Sequence, residues 1–159
     1  DALTGVGGTN IGVTRAEHDS RDVTLSLNAV VDGVAVTPDD GAAIVDAVAA
    51  TLRGNPQITM VEVEGHADER GDDRYNLRLT QERVNSVVHA LIQRGIDRSR
   101  LRAKGYGEYC PLEVGHNDAA WDKNRRVEFR ITKTKDGPTN IALGCAEAAA
   151  KGVKPDPVP

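Results

Sequence analysis

Apolar and polar residues alternate along residues 22–28, where valine and leucine occupy every second position and threonine, serine and asparagine lie between them. A period of two is typical of a strand with one buried face. Residues 1–21 are rich in glycine and show little periodicity, so we expect an N-terminal approach segment there, in which Ile11 and Val13 begin an edge strand. The first core strand is therefore predicted at 22–28.

A second alternation covers residues 58–64. Val61 and Val63 face one side of the predicted strand, and Glu62 and Glu64 face the other. Because charged side chains are rarely buried without a partner, we expect the glutamate side of the sheet to be exposed to water.

Two longer segments carry apolar residues at helical spacing. The first, 37–52, opens with Thr37 as N-cap and Pro38 at the first helical position. The second, 72–94, opens with an aspartate pair, either member of which can cap the helix. The predicted buried residues are Ile44, Val45, Val48 and Leu52 in the first helix, and Leu77, Thr80, Val84, Val87, Val88, Leu91 and Ile92 in the second.

Two further apolar segments, 101–104 and 127–131, predict short strands. The order strand, helix, strand, helix, strand, strand predicts an α+β fold, a two-layer sandwich with two main helices on one face of a small mixed β-sheet. This domain is expected to cover residues 22–132. Residues 133–159 are predicted to be a C-terminal extension with one or two helical turns near Ala146 and a disordered tail.

The composition narrows the function classes. With a net charge of -4 and basic residues mixed with acidic ones, the chain lacks the basic surface that nucleic acid binding requires. No run approaches the ~20 apolar residues of a membrane-spanning helix, so this fragment is not expected to insert into a membrane. Only 3% of the residues are aromatic, and the core is expected to be aliphatic.

The two cysteines, Cys110 and Cys145, lack the close Cys or His spacing of a zinc site. In an oxidising compartment they would form one disulfide, whereas in the cytosol two free thiols would be expected. We expect the disulfide, which would tie the C-terminal extension back to the domain.

Polar residues suited to ligand binding occur in GHADERGDDRYNLRLTQERV, residues 65–84. Asn76 and Arg83 are two helical turns apart, on the same helix face and ~10.5 Å apart along the axis. Asp68 precedes this helix and is expected beside its first turns. A carboxylate, an amide and a guanidinium around one pocket suit a zwitterion. The alternative, an ordinary ion pair between Asp68 and Arg83, is favoured by the spacing alone.

Other site chemistry has less support. His66 and Asp68 form a pair of metal-ligand types, but the sequence indicates no third ligand, so neither a metal nor a cofactor is predicted. No serine or cysteine lies at a sequence spacing from a general base that indicates a catalytic pair, and an enzyme is not expected. We expect His66 to be structural, hydrogen-bonded to backbone near the end of its strand.

The segment VEVEGHADERGDDRYNLRLTQERV, followed by GYGE and NRRVE, resembles the OmpA-like peptidoglycan-binding domain of outer-membrane porins, Pal-type lipoproteins and flagellar stator proteins. The resemblance covers about residues 22–132. It implies non-covalent binding of peptidoglycan through the diaminopimelate of its stem peptide, and tethering of an outer-membrane or envelope protein to the cell wall. It also implies the periplasm, with attachment to the outer membrane through a region missing from this fragment.

By this resemblance, Asp68 would accept the diaminopimelate ammonium and Arg83 would bind its carboxylate. Arg125, in the NRRVE block, would reach other carbonyl or carboxylate groups of the stem peptide. The candidate binding residues are Ser26, Asp68, Asn76, Leu79, Arg83 and Arg125.

Two departures from the family pattern favour an alternative function. Ala67 occupies a position where the family usually has a small hydroxyl residue, and the first strand lacks the usual phenylalanines. The alternative is a protein–protein interaction module of the envelope that keeps the fold without wall binding.

Overall fold

The computed structural model describes residues 10–18, 25–31, 34–36 and 41–158, which form strands β1 to β7 and helices α1 to α4. The strands are β1 Asn10–His18, β2 Leu25–Val31, β3 Val34–Val36, β4 Ile58–His66, β5 Leu101–Gly105, β6 Arg126–Thr134 and β7 Gly137–Pro138. The helices are α1 Gly41–Gly54, α2 Asp73–Gln93, α3 Asp118–Asn124 and α4 Ala146–Ala150, with a 3-10 turn at Arg98–Arg100. No described helix is both long and apolar enough to cross a membrane.

The sheet is mixed, in the order β3-β2-β1-β6-β4-β5, with β7 paired to β6. Among the described strands only β4 and β5 run parallel, because α2 and the 3-10 turn connect them as a crossover. The other described pairs are antiparallel. The predicted α+β class, with a mixed sheet and two main helices, is confirmed.

The N-terminal half of the sheet differs from the prediction. Strand β1 was expected at an edge, yet it pairs with β2 on one side and β6 on the other, so it lies inside the sheet. The pairing of β2 with β3 is a hairpin that the sequence pattern did not predict. Strand position depends on distant partners, which a local pattern does not contain. The predicted cap Thr37 lies outside the described residues.

Helix α2 matches its prediction closely. The Asp72 carboxylate caps it by accepting from the backbone N–H groups of Arg74 at 2.8 Å and Tyr75 at 3.4 Å. Of the predicted stripe, Thr80, Val84, Val87 and Leu91 are buried, whereas Leu77, Val88 and Ile92 are half-buried. Asn76 and Ala90 are buried in addition.

The main core lies between the sheet and the two long helices. It is aliphatic apart from Phe129, as the composition predicts, and each fully buried side chain of this kind contributes about 1.5 to 3 kcal/mol. Its members are Val45, Val48, Ala49, Leu52, Ile58, Val61, Val63, Val84, Val87, Ala90, Leu91, Ile96, Leu101, Val127, Phe129 and Ile131.

The opposite face of the sheet is covered, and the expectation of a water-exposed glutamate face is wrong. Glu62 and Glu64 are both 0% exposed. Glu62 accepts hydrogen bonds from Arg102 and from the Tyr106 hydroxyl, each at 3.1 Å. Burial raises the pKa of Glu62 to about 8, and the hydrogen bond and charge of Glu64 act in the same direction.

The C-terminal extension provides part of this cover. The expected disulfide between Cys110 and Cys145 is present, with a Cα–Cα distance of 5.8 Å. After it, α4 packs Ala148 beside Tyr106. Near the end of the described residues, the Arg102 guanidinium donates to the backbone carbonyls of Asp156 at 2.6 Å and Pro157 at 2.7 Å, in the segment predicted as a disordered tail.

Candidate functional site

The candidate site lies where β4 ends and its loop turns into α2. Two glycines allow α2 to approach the strand ends closely: a Cβ on Gly65 would lie 2.7 Å from the Thr80 carbonyl oxygen, and one on Gly105 would lie 2.4 Å from the Gln81 backbone nitrogen. The loop is held on its other side by the Ala67 N–H, which donates to the Gly107 carbonyl at 2.8 Å. Gly65 and Gly105, the latter in the sequence block GYGE, therefore have a structural role.

A cleft of about 210 Å³ opens between this loop, the first turns of α2 and the start of β6. Its lining residues are Ala67, Asp68, Arg70, Tyr75, Asn76, Leu79, Arg83 and Arg125. Five of the six residues predicted from the sequence are thus brought together. The side chain of the sixth, Ser26, lies outside what the structure describes.

Asn76 shapes the cleft through the loop. Its side-chain amide is buried and donates to the backbone carbonyls of Arg70 at 3.0 Å and Asp68 at 3.4 Å, and to the Glu108 carboxylate at 3.2 Å. A single amide therefore fixes both ends of the turn that presents Asp68.

Asp68 is 5% exposed and its carboxylate has several donors. It accepts from the Arg70 backbone N–H at 2.9 Å, from the Arg70 guanidinium at 3.1 and 2.8 Å, and from Arg125 at 2.8 Å. Burial opposes ionisation, but these hydrogen bonds outweigh it and lower the pKa of Asp68 to about 2. The simple alternative, a pair between Asp68 and Arg83, is not what the structure shows.

Arg83, unlike Asp68, has a hydrogen-bonding group that no described residue satisfies. Its Nε atom is buried and has no hydrogen-bond partner among the described residues. Burial and the nearby charge of Arg125 lower the pKa of the guanidinium. A buried donor without an acceptor costs about 1 to 3 kcal/mol, and more when it is charged. Within the described part of the chain, the Arg83 Nε therefore lacks an acceptor, and a carboxylate bound at this guanidinium would supply one.

Arg70 and Tyr75 are lining residues that the sequence reasoning missed. The Arg70 guanidinium carbon lies 4.4 Å from the centre of the Trp121 ring, a cation–π contact. Trp121 in turn donates from its indole nitrogen to Glu69 at 3.0 Å, so α3 supports the loop. The only signal for Arg70 is its position two residues after Asp68, where an aspartate often forms a turn with the backbone N–H.

The charges of the cleft are unbalanced. The lining contains three guanidinium groups, from Arg70, Arg83 and Arg125, and one carboxylate, from Asp68. An excess of positive charge with one unsatisfied buried donor suits an anionic group, and a guanidinium can hold a carboxylate through two parallel hydrogen bonds.

His66 does not share a site with Asp68. Its Nε2 atom lies 3.3 Å from Glu64 on the covered face of the sheet, and burial lowers its pKa to about 3. His66, Glu64 and Glu128 lie close enough to hold a metal ion, but Glu128 already accepts from Arg126 and Arg130. The expected backbone partner of His66 is not seen, since among the described residues Nδ1 has no hydrogen bond.

Residues 32–126 match the model of the OmpA family, and this segment contains the cleft residues 67–125. The chain belongs to the OmpA family. The resemblance given by the sequence blocks is therefore confirmed.

Relatives of this chain include proteins named as lipoproteins. The chain is 45% identical over 84 residues to the peptidoglycan-associated lipoprotein of Pasteurella multocida, which covers 53% of this chain and 55% of that protein. It is 35% identical over 126 residues to the probable lipoprotein YiaD of Escherichia coli, covering 79% and 57%. The chain spans about half the length of the curated relatives it matches.

Solved structures share the fold. The crystal structure of the peptidoglycan-associated lipoprotein from Burkholderia pseudomallei superposes with a TM-score of 0.57 at 28% identity, covering 75% of this chain and 87% of that one. The periplasmic domain of Helicobacter pylori MotB gives a TM-score of 0.58 at 18% identity, covering 78% and 73%, and supports the fold alone.

Proposed function

We propose that this chain binds peptidoglycan non-covalently through the diaminopimelate of the stem peptide, and so tethers an outer-membrane or other envelope protein to the cell wall. The observation that carries the proposal is Arg83, whose buried Nε has no acceptor within the described part of the chain and whose side chain lines a cleft with excess positive charge. Several relatives are named for their association with peptidoglycan, which supports the same conclusion.

The free end of diaminopimelate carries one carboxylate and one ammonium group. The carboxylate binds the Arg83 guanidinium and accepts a hydrogen bond from its Nε–H. Arg125 contacts a second carbonyl or carboxylate group of the stem peptide. The ammonium binds Asp68, which is ionised at every physiological pH because its pKa is about 2. Leu79 forms the apolar wall of the cleft, beside the aliphatic part of the ligand.

The proposed binding is reversible and modest in strength. Hydrogen bonds between ionised partners contribute about 1.5 to 3 kcal/mol each. The chemistry requires no cofactor, because recognition rests on preformed charges rather than on bond making. The proposed location is the periplasm, an oxidising compartment in which a disulfide such as Cys110–Cys145 persists.

A pull-down with insoluble peptidoglycan tests the proposal. With wall material well below the amount that saturates the parent, the bound fraction is inversely proportional to the dissociation constant. Arg83→Met should then lose about 90% or more of the bound fraction, since the loss of ~1.5 to 3 kcal/mol weakens binding about tenfold or more. Thermal unfolding should be unchanged or shifted upward, because the variant removes a buried unpaired donor. Arg98→Met, at an exposed arginine outside the cleft, is the control and should bind as the parent does.

The chemistry of the wall is the second arm of this test. Walls that contain lysine in place of diaminopimelate lack the terminal carboxylate and should bind the parent protein much more weakly. Equal retention on both kinds of wall would contradict the role given to Arg83.

A protein–protein interaction module is the second candidate function. It is favoured by the C-terminal extension, which lies beyond the family match and adds Glu147 and Lys151 to a second cleft beside the loop. An NMR titration with free diaminopimelate separates the two functions. The wall-binding function predicts shifts confined to the Arg83 cleft, and a pure interaction module predicts none.

A further inference from the structure

The carboxylate of Asp68 has no free position for a ligand. An ionised carboxylate offers about four lone-pair sites. Two hydrogen bonds reach Oδ1, from the backbone N–H and the Nε of Arg70, and two reach Oδ2, from the guanidiniums of Arg70 and Arg125. If an ammonium is to bind Asp68, as the proposed function requires, one of these donors must leave.

The side chain of Arg70 is the donor that can leave most easily. It is 53% exposed, whereas the Arg125 side chain is 24% exposed and is also held by the Asp122 carboxylate at 3.2 Å. The Arg70 backbone N–H belongs to the turn itself and stays in place when the side chain moves. The face of Trp121, 4.4 Å away, stabilises the Arg70 cation independently of Asp68.

We infer that Arg70 is an internal substitute for the ligand ammonium: its guanidinium, hydrogen-bonded to the Asp68 carboxylate, is displaced when a diaminopimelate ammonium binds. This inference rests on the proposed function. Arg70 is thereby a specificity-determining residue. A ligand with a carboxylate alone can satisfy Arg83 but has no cation to exchange with Arg70 at Asp68.

The same exchange sets the affinity. Every binding event with a free ammonium must break the two guanidinium bonds from Arg70 to Asp68. Only the state in which Arg70 has left Asp68 can bind the ammonium. The apparent affinity is reduced in proportion to the small population of this state. Removal of the Arg70 charge should therefore strengthen binding, although it also removes a positive charge beside an anionic ligand.

Calorimetric titration of the full chain with two soluble muropeptides tests the inference. One carries a free diaminopimelate ammonium, and the other is N-acetylated at that nitrogen. Arg70→Met keeps an aliphatic side chain over Trp121 and removes the charge. It should bind the free-ammonium muropeptide about tenfold more tightly than the parent, and the acetylated one with less than about a twofold change.

Arg74→Met controls for the general loss of positive charge, since Arg74 is exposed in the first turn of α2 and does not line the cleft. It should leave both affinities within about twofold of the parent. Circular dichroism and thermal unfolding of each variant verify that the fold is kept, which a half-exposed side chain such as Arg70 favours.

Other results overturn the inference. Weaker binding of the free-ammonium muropeptide by Arg70→Met would show that Arg70 contacts the ligand directly, and unchanged binding would show that it does not compete. Failure of the proposed function looks different, because then neither the parent nor Arg70→Met binds either muropeptide.

Discussion

Two charged residues of the cleft differ in how their hydrogen-bonding capacity is used. Asp68 has its lone pairs filled by arginines of the same chain, whereas the buried Nε of Arg83 lacks an acceptor within the described residues. A fully satisfied group stabilises the loop, and an unsatisfied one is ready for a partner. Ligand recognition in this account therefore depends first on Arg83.

Glu62 gives a prediction at the same scale, on the other side of the sheet. Its pKa is raised from 4.5 to about 8, mainly by burial, so between these pH values the folded state holds a proton that the unfolded state has released. The free energy of unfolding should therefore fall as the pH rises through this window. Glu62→Gln removes the part of this dependence that comes from Glu62, while Glu64, whose pKa burial also raises, remains.

Chemical denaturation at pH 5 and pH 8 measures the effect. The stability of Glu62→Gln relative to the parent should increase by about 1 to 3 kcal/mol from pH 5 to pH 8. His66 and Glu64 are present in both proteins, so the difference reports on the Glu62 carboxyl together with its interactions with these two groups. A difference that is the same at both pH values would show that Glu62 is ionised in the folded state.

At the scale of elements, the contact between α2 and the ends of β4 and β5 positions the cleft. A Cβ on Gly105 would lie 2.4 Å from the Gln81 backbone nitrogen, and backbone cannot move aside as a side chain can. Gly105→Ala should therefore reduce the free energy of unfolding by about 3 kcal/mol or more, measured by urea denaturation.

The matched control is Gly54→Ala at the end of α1. A Cβ there meets nothing within 4 Å. The expected change is less than about 1 kcal/mol, in the stabilising direction. If Gly105→Ala behaves like Gly54→Ala, α2 does not approach the sheet as closely as described.

The elements differ in how well the sequence predicted them. Both signals that define helix α2, the Asp72 cap and the apolar residues at helical spacing, lie within one continuous segment of the sequence. The sequence therefore predicts its bounds almost to the residue. Strand β1 has a weak local pattern, and its interior position follows from pairing with β6, more than a hundred residues later. A helix is specified by near neighbours, whereas a sheet depends on distant ones.

The same distinction holds for the site. Asp68, Asn76 and Arg83 could be predicted because they lie on one loop and one helix face. The exchange of partners at Asp68 could not, since it depends on the conformation of the Arg70 side chain and on Trp121 from a separate helix. The alternation in β4 correctly predicts that Glu62 lies on the face opposite Val61 and Val63. Its burial could not be predicted, because the C-terminal extension that covers this face has no periodic pattern of apolar residues.

At the scale of the whole molecule, the C-terminal extension closes the second face of the sheet. Gly144 lies against the Tyr106 ring, where a Cβ would be 2.6 Å away, and its N–H donates to Glu64 at 3.3 Å. The Cys110–Cys145 disulfide fastens this segment beside the polar face. The segment that covers Glu62 and Glu64 is therefore held both by a disulfide and by hydrogen bonds to Arg102 and Glu64.

Removal of the Cys110–Cys145 disulfide should lower the free energy of unfolding. The double variant Cys110→Ser, Cys145→Ser should lose about 3 to 4 kcal/mol of unfolding free energy by the loop-entropy model for this cross-link. It should also lose part of the pH dependence assigned to Glu62, since the cover is loosened. Cysteine-free protein as stable as the parent would show that the extension is held by its non-covalent contacts alone.

The central claim is that Arg83 awaits a ligand carboxylate, and the resonance of its side-chain Nε–H reports on this directly. In a ¹H–¹⁵N NMR titration with meso-diaminopimelate, the account predicts a shift of the Arg83 Nε–H signal and slower exchange with water as the new hydrogen bond forms. The Nε–H signal of exposed Arg98 should stay constant. An Arg83 signal that does not move at saturating ligand would contradict the account.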